Sequence, residues 1–320
     1  LTTPARVAGK RGRLQSERPA LANLHDYLKA PLPAPSYPVD VRAGIPDDQW
    51  GMLANGPDPA CTLAPEGLGD CGFAGRQHAR MAKAAHYGQS EAWETSDELA
   101  TEYLAYDHGQ DLGVSLPDVL HAWYKAGKIL AYAPVDHAST AAVDSAMAEF
   151  RGVYAGVDLT DDADRLFQEG QPWSVSQGQQ PDPSEGHCIV KVYATGGPVD
   201  HPEGADGWVT WGAFQRSFLS WTAACLREAY VIITSEDEAA KVDMGRLIAD
   251  IEALGGTAPT PPGPPTPPPA PAPSPVPVPP APAPDHPRIL ADLAKLIRRG
   301  EATAKEDFAA LVAYLDKHGI

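Results

Sequence analysis

Gly69-Asp70-Cys71-Gly72-Phe73-Ala74-Gly75 joins a glycine-rich turn to an amphipathic run, and how it is read decides how the rest of the chain divides. The run continues over Cys71–His86 with Phe73, Ala74, His78, Met81 and Ala85 toward one side, which predicts a helix. The cysteine therefore stands where loop becomes helix. Free backbone N–H groups at such a point carry partial positive charge, which favours thiolate over thiol and predicts a lowered pKa. Flanking glycines leave the approach to the sulfur open. Three further helices are predicted downstream: from the Ser96-Asp97 cap through residue 106, over residues 116–126 and over residues 141–150. Past Gly152 the character changes. Residues 153–159, 188–194, 207–211 and 229–234 are β-branched or aromatic and read as strands. Helices first and an antiparallel sheet afterwards predict an α+β fold in two lobes.

A thiolate nucleophile needs a base. His78 lies seven residues along the same helix, about 10 Å away by helical rise, and cannot reach the sulfur. It reads as a partly buried helix histidine. His187 is better placed, opening Gly186-His187-Cys188-Ile189-Val190-Lys191-Val192-Tyr193. A histidine at a strand start, after a glycine and facing a helix N-terminus, is the geometry a Cys–His pair uses.

Composition removes the competing chemistries. The 320 residues carry a net charge of −17 with 43% hydrophobic and 21% charged residues, enough for a real core. Residues 1–18 hold +4 and residues 288–320 hold +1, so the body between them holds −22. Such a body repels a phosphate backbone, and general nucleic-acid binding is not expected. The basic arm at residues 1–18 reads as a solvated, mobile tail. The four cysteines show no zinc spacing, and no H-E-x-x-H, Walker loop or G-x-G-x-x-G occurs, so no metal and no cofactor is expected. No apolar stretch approaches the ~20 residues of a membrane helix. No secretory signal is readable behind the basic run, and the setting expected is cytoplasmic or virion-associated.

These residues are similar to the papain-like cysteine peptidases. Pro38-Val39-Asp40-Val41-Arg42-Ala43-Gly44 resembles the opening segment of the mature enzymes, Gly69-Asp70-Cys71-Gly72-Phe73 the nucleophile motif, and Gly186-His187 the base motif. Val209-Thr210-Trp211-Gly212 is similar to the family's Asn-Ser-Trp-Gly, and Glu228-Ala229-Tyr230-Val231-Ile232 to its closing strand. A Trp-Gly-Met-Leu-x-Asn lead-in at residues 50–55 and Pro172-Trp173 resemble a divergent branch found in actinobacterial phages and their hosts. The likeness covers residues 19–250. It implies a thiol hydrolase acting on peptide or amide bonds, with Cys71 as nucleophile, His187 as base and a peptide or protein as substrate.

Two departures bear on the site. The family's oxyanion amide sits about six residues before the cysteine, where this chain has Pro65; Asn55 is the candidate, displaced by an inserted loop over residues 56–68 that contains Cys61. Alignment on Trp211-Gly212 puts Val209 where the family has its histidine-orienting Asn. Valine forms no hydrogen bond. Thr210 serves only if the register shifts by one, which in a strand also changes its face. Reduced efficiency, or none, is the expectation, and a catalytically impaired fold serving as a phage virion or assembly part is the alternative. A peptidoglycan amidase with the same Cys-then-His order is a third reading, with no wall-binding repeat visible.

The remaining readings are structural. Cys61 reads as a free loop cysteine, the rival being a bridge to Cys71, and Cys188 and Cys225 as core fillers. The tryptophans of the strand region read as core, with Trp211 shielding His187 from water. Asp70 is expected to cap its helix. Asp200, His201, Glu203 and Asp206 read as a solvated turn. The domain body spans 19–256, a polyproline-type spacer fills 257–287, and 288–320 carries two helical periods expected to dock or oligomerise.

Overall fold

The computed structural model describes residues 6–15, 20–89, 93–175, 179–196, 205–235, 237 and 241–254. The proline-rich spacer, the C-terminal helices and the turn carrying Asp200, His201 and Glu203 lie outside the described residues.

In chain order the elements are β1 (Arg13–Leu14), α1 (Leu24–Tyr27), β2 (Val39–Asp40), α2 (Cys71–His86), α3 (Ser96–Tyr106), β3 (Val114–Ser115), α4 (Leu116–Lys125), β4 (Ala131–Pro134), α5 (Thr140–Phe150) and β5 (Val153–Asp158). Then follow α6 (Ala163–Gln168), a 3-10 turn (Pro183–Glu185), β6 (Gly186–Ala194), β7 (Asp206–Thr210), β8 (Ala213–Ser217), α7 (Leu219–Cys225), β9 (Leu226–Ile233) and α8 (Met244–Ala253). The fold is a mixture of helices and an antiparallel sheet, with the sheet order β4-β9-β5-β6-β7-β8 and β2 added to β6. The predicted helices hold to within a residue or so at each end. The local signals are strong there: Thr95 closes a capping box with Glu98 on α3, and α4 carries proline in its first turn.

Helix α2 lies against β6, the central strand. One large hydrophobic cluster fills the space around the sheet and includes Cys71, Trp173, Trp208, Trp211 and Trp221. A smaller cluster joins Phe73 and Ala74 of α2 to Leu99 and Tyr103 of α3, with Leu53, Cys61 and Leu68 from the preceding loop.

Within the core, Lys191 is fully buried between Asp144 at 2.6 Å and Asp206 at 2.7 Å, and Asp206 also accepts from Thr222 at 2.6 Å. This corrects the solvated-turn reading of Asp206. The aspartate begins β7 inside the protein, because Lys191 across the sheet supplies the charge that a buried carboxylate needs.

Candidate active site

The first wall of the site is a loop closed on itself. Leu68 donates its amide to the Ala54 carbonyl at 2.7 Å, and Asn55 Nδ2 donates to the Leu68 carbonyl at 3.2 Å. The ends of the inserted loop therefore meet, and residues 56–67 form a compact excursion. Asp58 fastens it from inside, accepting from the Ala54 and Ala60 amides and from Ser96 Oγ at 2.5 Å. Sixteen residues of separation thus collapse, and Asn55 stands beside the segment that leads into Cys71. Asp70 does not cap the helix. It makes no cap hydrogen bond, is fully buried, and burial drives its carboxyl well above the ordinary range, with the Asn55 amide opposing.

The second wall is set by strand register. Val190 pairs with Val209 and Lys191 with Trp208, so odd residues of β6 share a face with even residues of β7. Val209 consequently faces away from His187, and Thr210 faces it. His187 Nε2 lies 2.7 Å from Thr210 Oγ1. Trp211 and Gly212 then form the two-residue turn between β7 and β8, with φ of 44° and 75°. Both positions are left-handed, as a type I′ hairpin requires, and such a φ is strained for tryptophan. The strained residue lays its indole on His187, with ring centroids 4.7 Å apart and planes 27° from parallel. Phe167 and Trp173 pack edge-on against that indole at 5.0 and 6.2 Å. His187 is fully buried, and its Nδ1 holds no hydrogen bond among the described residues.

Between the walls runs the N-terminal arm. Residues 6–15 depart from the expected mobile tail because Lys10, Arg11 and Arg13 each have a carboxylate partner on the acidic body, and Arg6 donates to Gln215 and to the Phe214 carbonyl. Lys10 donates its amide to the Asn55 carbonyl at 2.8 Å, and Asn55 Nδ2 returns a bond to the Lys10 carbonyl at 3.2 Å. The Gly12 carbonyl accepts from the Val114 amide at 2.5 Å, and β1 continues parallel to β3. Gly9 passes between Asn55 and Trp211; Gly12 lies on Gly69; the Arg13 carbonyl lies against Gly186. A single extended segment therefore touches Gly69, two residues before Cys71, and Gly186, next to His187.

The filled channel reverses the expected electrostatics of the cysteine. Burial pushes the Cys71 thiol up to about 12 with Asp70 adding to it, against the backbone amides of Cys188 and Gly12 and the charge of Arg13. Desolvation outweighs the helix terminus. His187 is held well below its ordinary value by burial, by Arg11 and by His78. Each group therefore rests neutral, Cys71 as thiol and His187 as imidazole.

Of the four residues singled out from sequence, Thr210 meets His187 directly and Asn55 reaches the loop leading into Cys71, whereas no hydrogen bond joins Cys71 to His187 among the described residues. His78 makes no hydrogen bond to these residues and donates Nε2–H to the Gly51 carbonyl at 3.0 Å as a buried, neutral histidine. Cys61 is buried in the smaller cluster, and all four cysteines are free. The arm was missed. Its opposite charge to the body and the spacing of Gly9 and Gly12 around basic residues were the available signals.

No protein-family model and no curated protein sequence matches the chain. Among solved structures, xylellain, a cysteine protease from Xylella fastidiosa, is similar at 12% identity and a TM-score of 0.49, over 74% of this chain and 100% of that one.

Proposed function

We propose that the chain is a papain-like thiol hydrolase with a helical and a sheet lobe on either side of the arm-filled channel. The carrying observation is the state of His187, which has one ring nitrogen held by Thr210, one face covered by Trp211, and the other nitrogen buried without a partner among the described residues; the arm that touches both Gly69 and Gly186 supports bringing Cys71 to it. With Nε2–H donating to Thr210 Oγ1, Nδ1 keeps its lone pair and takes the proton from the Cys71 thiol. The thiolate adds to a peptide or amide carbonyl. Asn55 Nδ2 and the Cys71 backbone N–H receive the oxyanion. His187 returns the proton to the leaving amine as the C–N bond breaks, and water then releases the acid from the thioester. Asn55 Nδ2 already donates to a peptide carbonyl, that of Lys10, which supports its assignment.

A second reading has one observation in its favour. A thiol pushed up to about 12 in a filled channel suits a retained fold without turnover, serving as a phage virion or assembly part.

Alkylation separates the two. Iodoacetamide at neutral pH, followed by peptide mapping of the wild-type and Gly12→Val full chains, is expected to modify Cys71 selectively in at least one of them. The signal disappears in Cys71→Ala and slows at least tenfold in His187→Ala. Cys71 reacting no faster than a simple thiol peptide in both chains would sink the hydrolase reading.

A further inference from the structure

We infer that the channel is a recognition groove for an extended peptide of glycine, two basic residues, glycine and a further basic residue, and that residues 9–13 of this chain occupy it in cis. This names a ligand class for the proposed hydrolase and rests on that reading only for which groove is the active one.

Two independent features of the groove select this pattern. The first is steric. A Cβ on Gly9 would lie 1.9 Å from the Asn55 carbonyl oxygen, and one on Gly12 would lie 1.7 Å from that of Gly69. Both obstacles are backbone and cannot swing aside, so only glycine passes at these two positions.

The second feature is charge. Lys10 reaches Asp111 at 3.4 Å. Arg11 pairs with Asp164 at 2.6 Å and with Glu185, and its guanidinium lies 5.9 Å from the centre of the Trp211 ring. Arg13 is the most enclosed. It meets Asp158 at 2.8 Å and Glu228 at 2.7 Å, with side chains 7%, 6% and 17% exposed.

The Arg13 pocket is organised by groups other than its occupant. Arg227 Nε donates to Asp158 Oδ2 at 2.6 Å, and Tyr230 donates to Glu228 Oε2 at 2.8 Å. These bonds hold both carboxylates in place when the arm leaves, so the subsite is available to another arginine. The backbone of the occupant is read as well, by Asn55 on one side and Val114 on the other. A body of −22 between the arm and the C-terminal segment favours a basic ligand at longer range.

The test is binding in trans. Residues 6–15 are made as a fluorescent peptide, and its anisotropy is titrated with the full chain carrying Cys71→Ser, so that nothing is cleaved, and with the full chain carrying Cys71→Ser and Gly12→Val. The second variant cannot seat its own arm yet keeps every acidic subsite. It is expected to bind the peptide at least tenfold more tightly than the first. Peptides with valine at both glycine positions, or glutamate at the Arg13 position, are expected to bind at least tenfold more weakly than the parent. If Gly12→Val fails to fold by circular dichroism, Lys10→Glu with Arg11→Glu loosens the arm through its more exposed contacts and is held to the same result. Equal binding by both chains, binding by neither, or undiminished binding of the valine peptide overturns the proposal. Alkylation at Cys71 is a separate readout, so loss of this inference and loss of the hydrolase reading are told apart.

Discussion

The two walls of the channel are built by different physics. On the strand wall, His187, Thr210 and Trp211 are placed by sheet register and by one hairpin turn, so each position follows from its neighbours by a period of two. On the loop wall, Asn55 reaches the Cys71 segment only because a twelve-residue excursion returns to its starting point and is pinned by the Ala54–Leu68 and Asn55–Leu68 bonds. A strand position tolerates little error, since a slip of one residue turns the side chain to the opposite face. A closed loop tolerates length changes but depends on its clasp. Substitutions on the two walls should therefore fail in different ways.

The largest effect is expected on the loop wall. Asn55→Ala removes the proposed oxyanion donor and one of the bonds that close the loop, so kcat on a peptide-amide substrate turned over by the Gly12→Val chain should fall about 10²–10³-fold. The same substitution should leave the alkylation rate of Cys71 within a few-fold of its parent, because alkylation forms no oxyanion. A matching fall in both rates would mean that Asn55 serves only to shape the loop.

The tie between the walls is next in size. His78 on α2 donates to Gly51, and Gly51 bridges Gly212 in the turn that carries Trp211. Burial lowers the His78 pKa from 6.5 to about 4. Below pH 6.5 the unfolded chain binds a proton that the folded chain refuses, so stability contributed by the neutral histidine is present above 6.5 and lost as pH falls toward 4. The linkage amounts to about 3 kcal/mol. Urea unfolding of wild type and His78→Gln at pH 7 and pH 4 should show the wild type losing about that much more than the variant. Equal losses would mean that His78 accepts a proton in the folded state.

What was legible in the sequence follows the same division. Helix α2 and its cysteine were readable because periodicity and a glycine turn are local, and His187 because a strand start is local. Trp211 as the cover over His187 was readable from its place beside the strand end. Asp206 was not, since only the pairing of β6 with β7 brings Lys191 to it and makes an interior carboxylate stable. The arm's charge was readable, but where it docks was not, for a similar reason. Its partners Asp111, Asp158, Asp164, Glu185 and Glu228 are spread over more than a hundred residues and converge only in the folded protein. Thr210 rather than Val209 meets the histidine because the hydrogen-bond register of β7 on β6, not a count of residues from Trp211-Gly212, decides which side chain shares the face of His187.

That register makes the last and smallest prediction. Thr210→Val keeps shape and removes the hydroxyl, so His187 loses a hydrogen bond that strengthens when the imidazolium forms. Bonds to a charged partner are worth about 1.5–3 kcal/mol, so the alkylation rate and kcat should fall about 10–100-fold, with KM little changed. Thr210→Ser should restore most of the loss, because a hydroxyl at this position is what the ring requires. Adding Val209→Asn to Thr210→Val should restore nothing, although it recreates the family's amide at the position alignment assigns to it. Val209 is fully buried on the other face, so the amide enters the core unpaired and should cost about 1–3 kcal/mol of stability. Rescue by asparagine at 209 would require β7 to slide by one residue on β6, which would carry Trp208 and Thr210 to the opposite face and undo the strand wall as described.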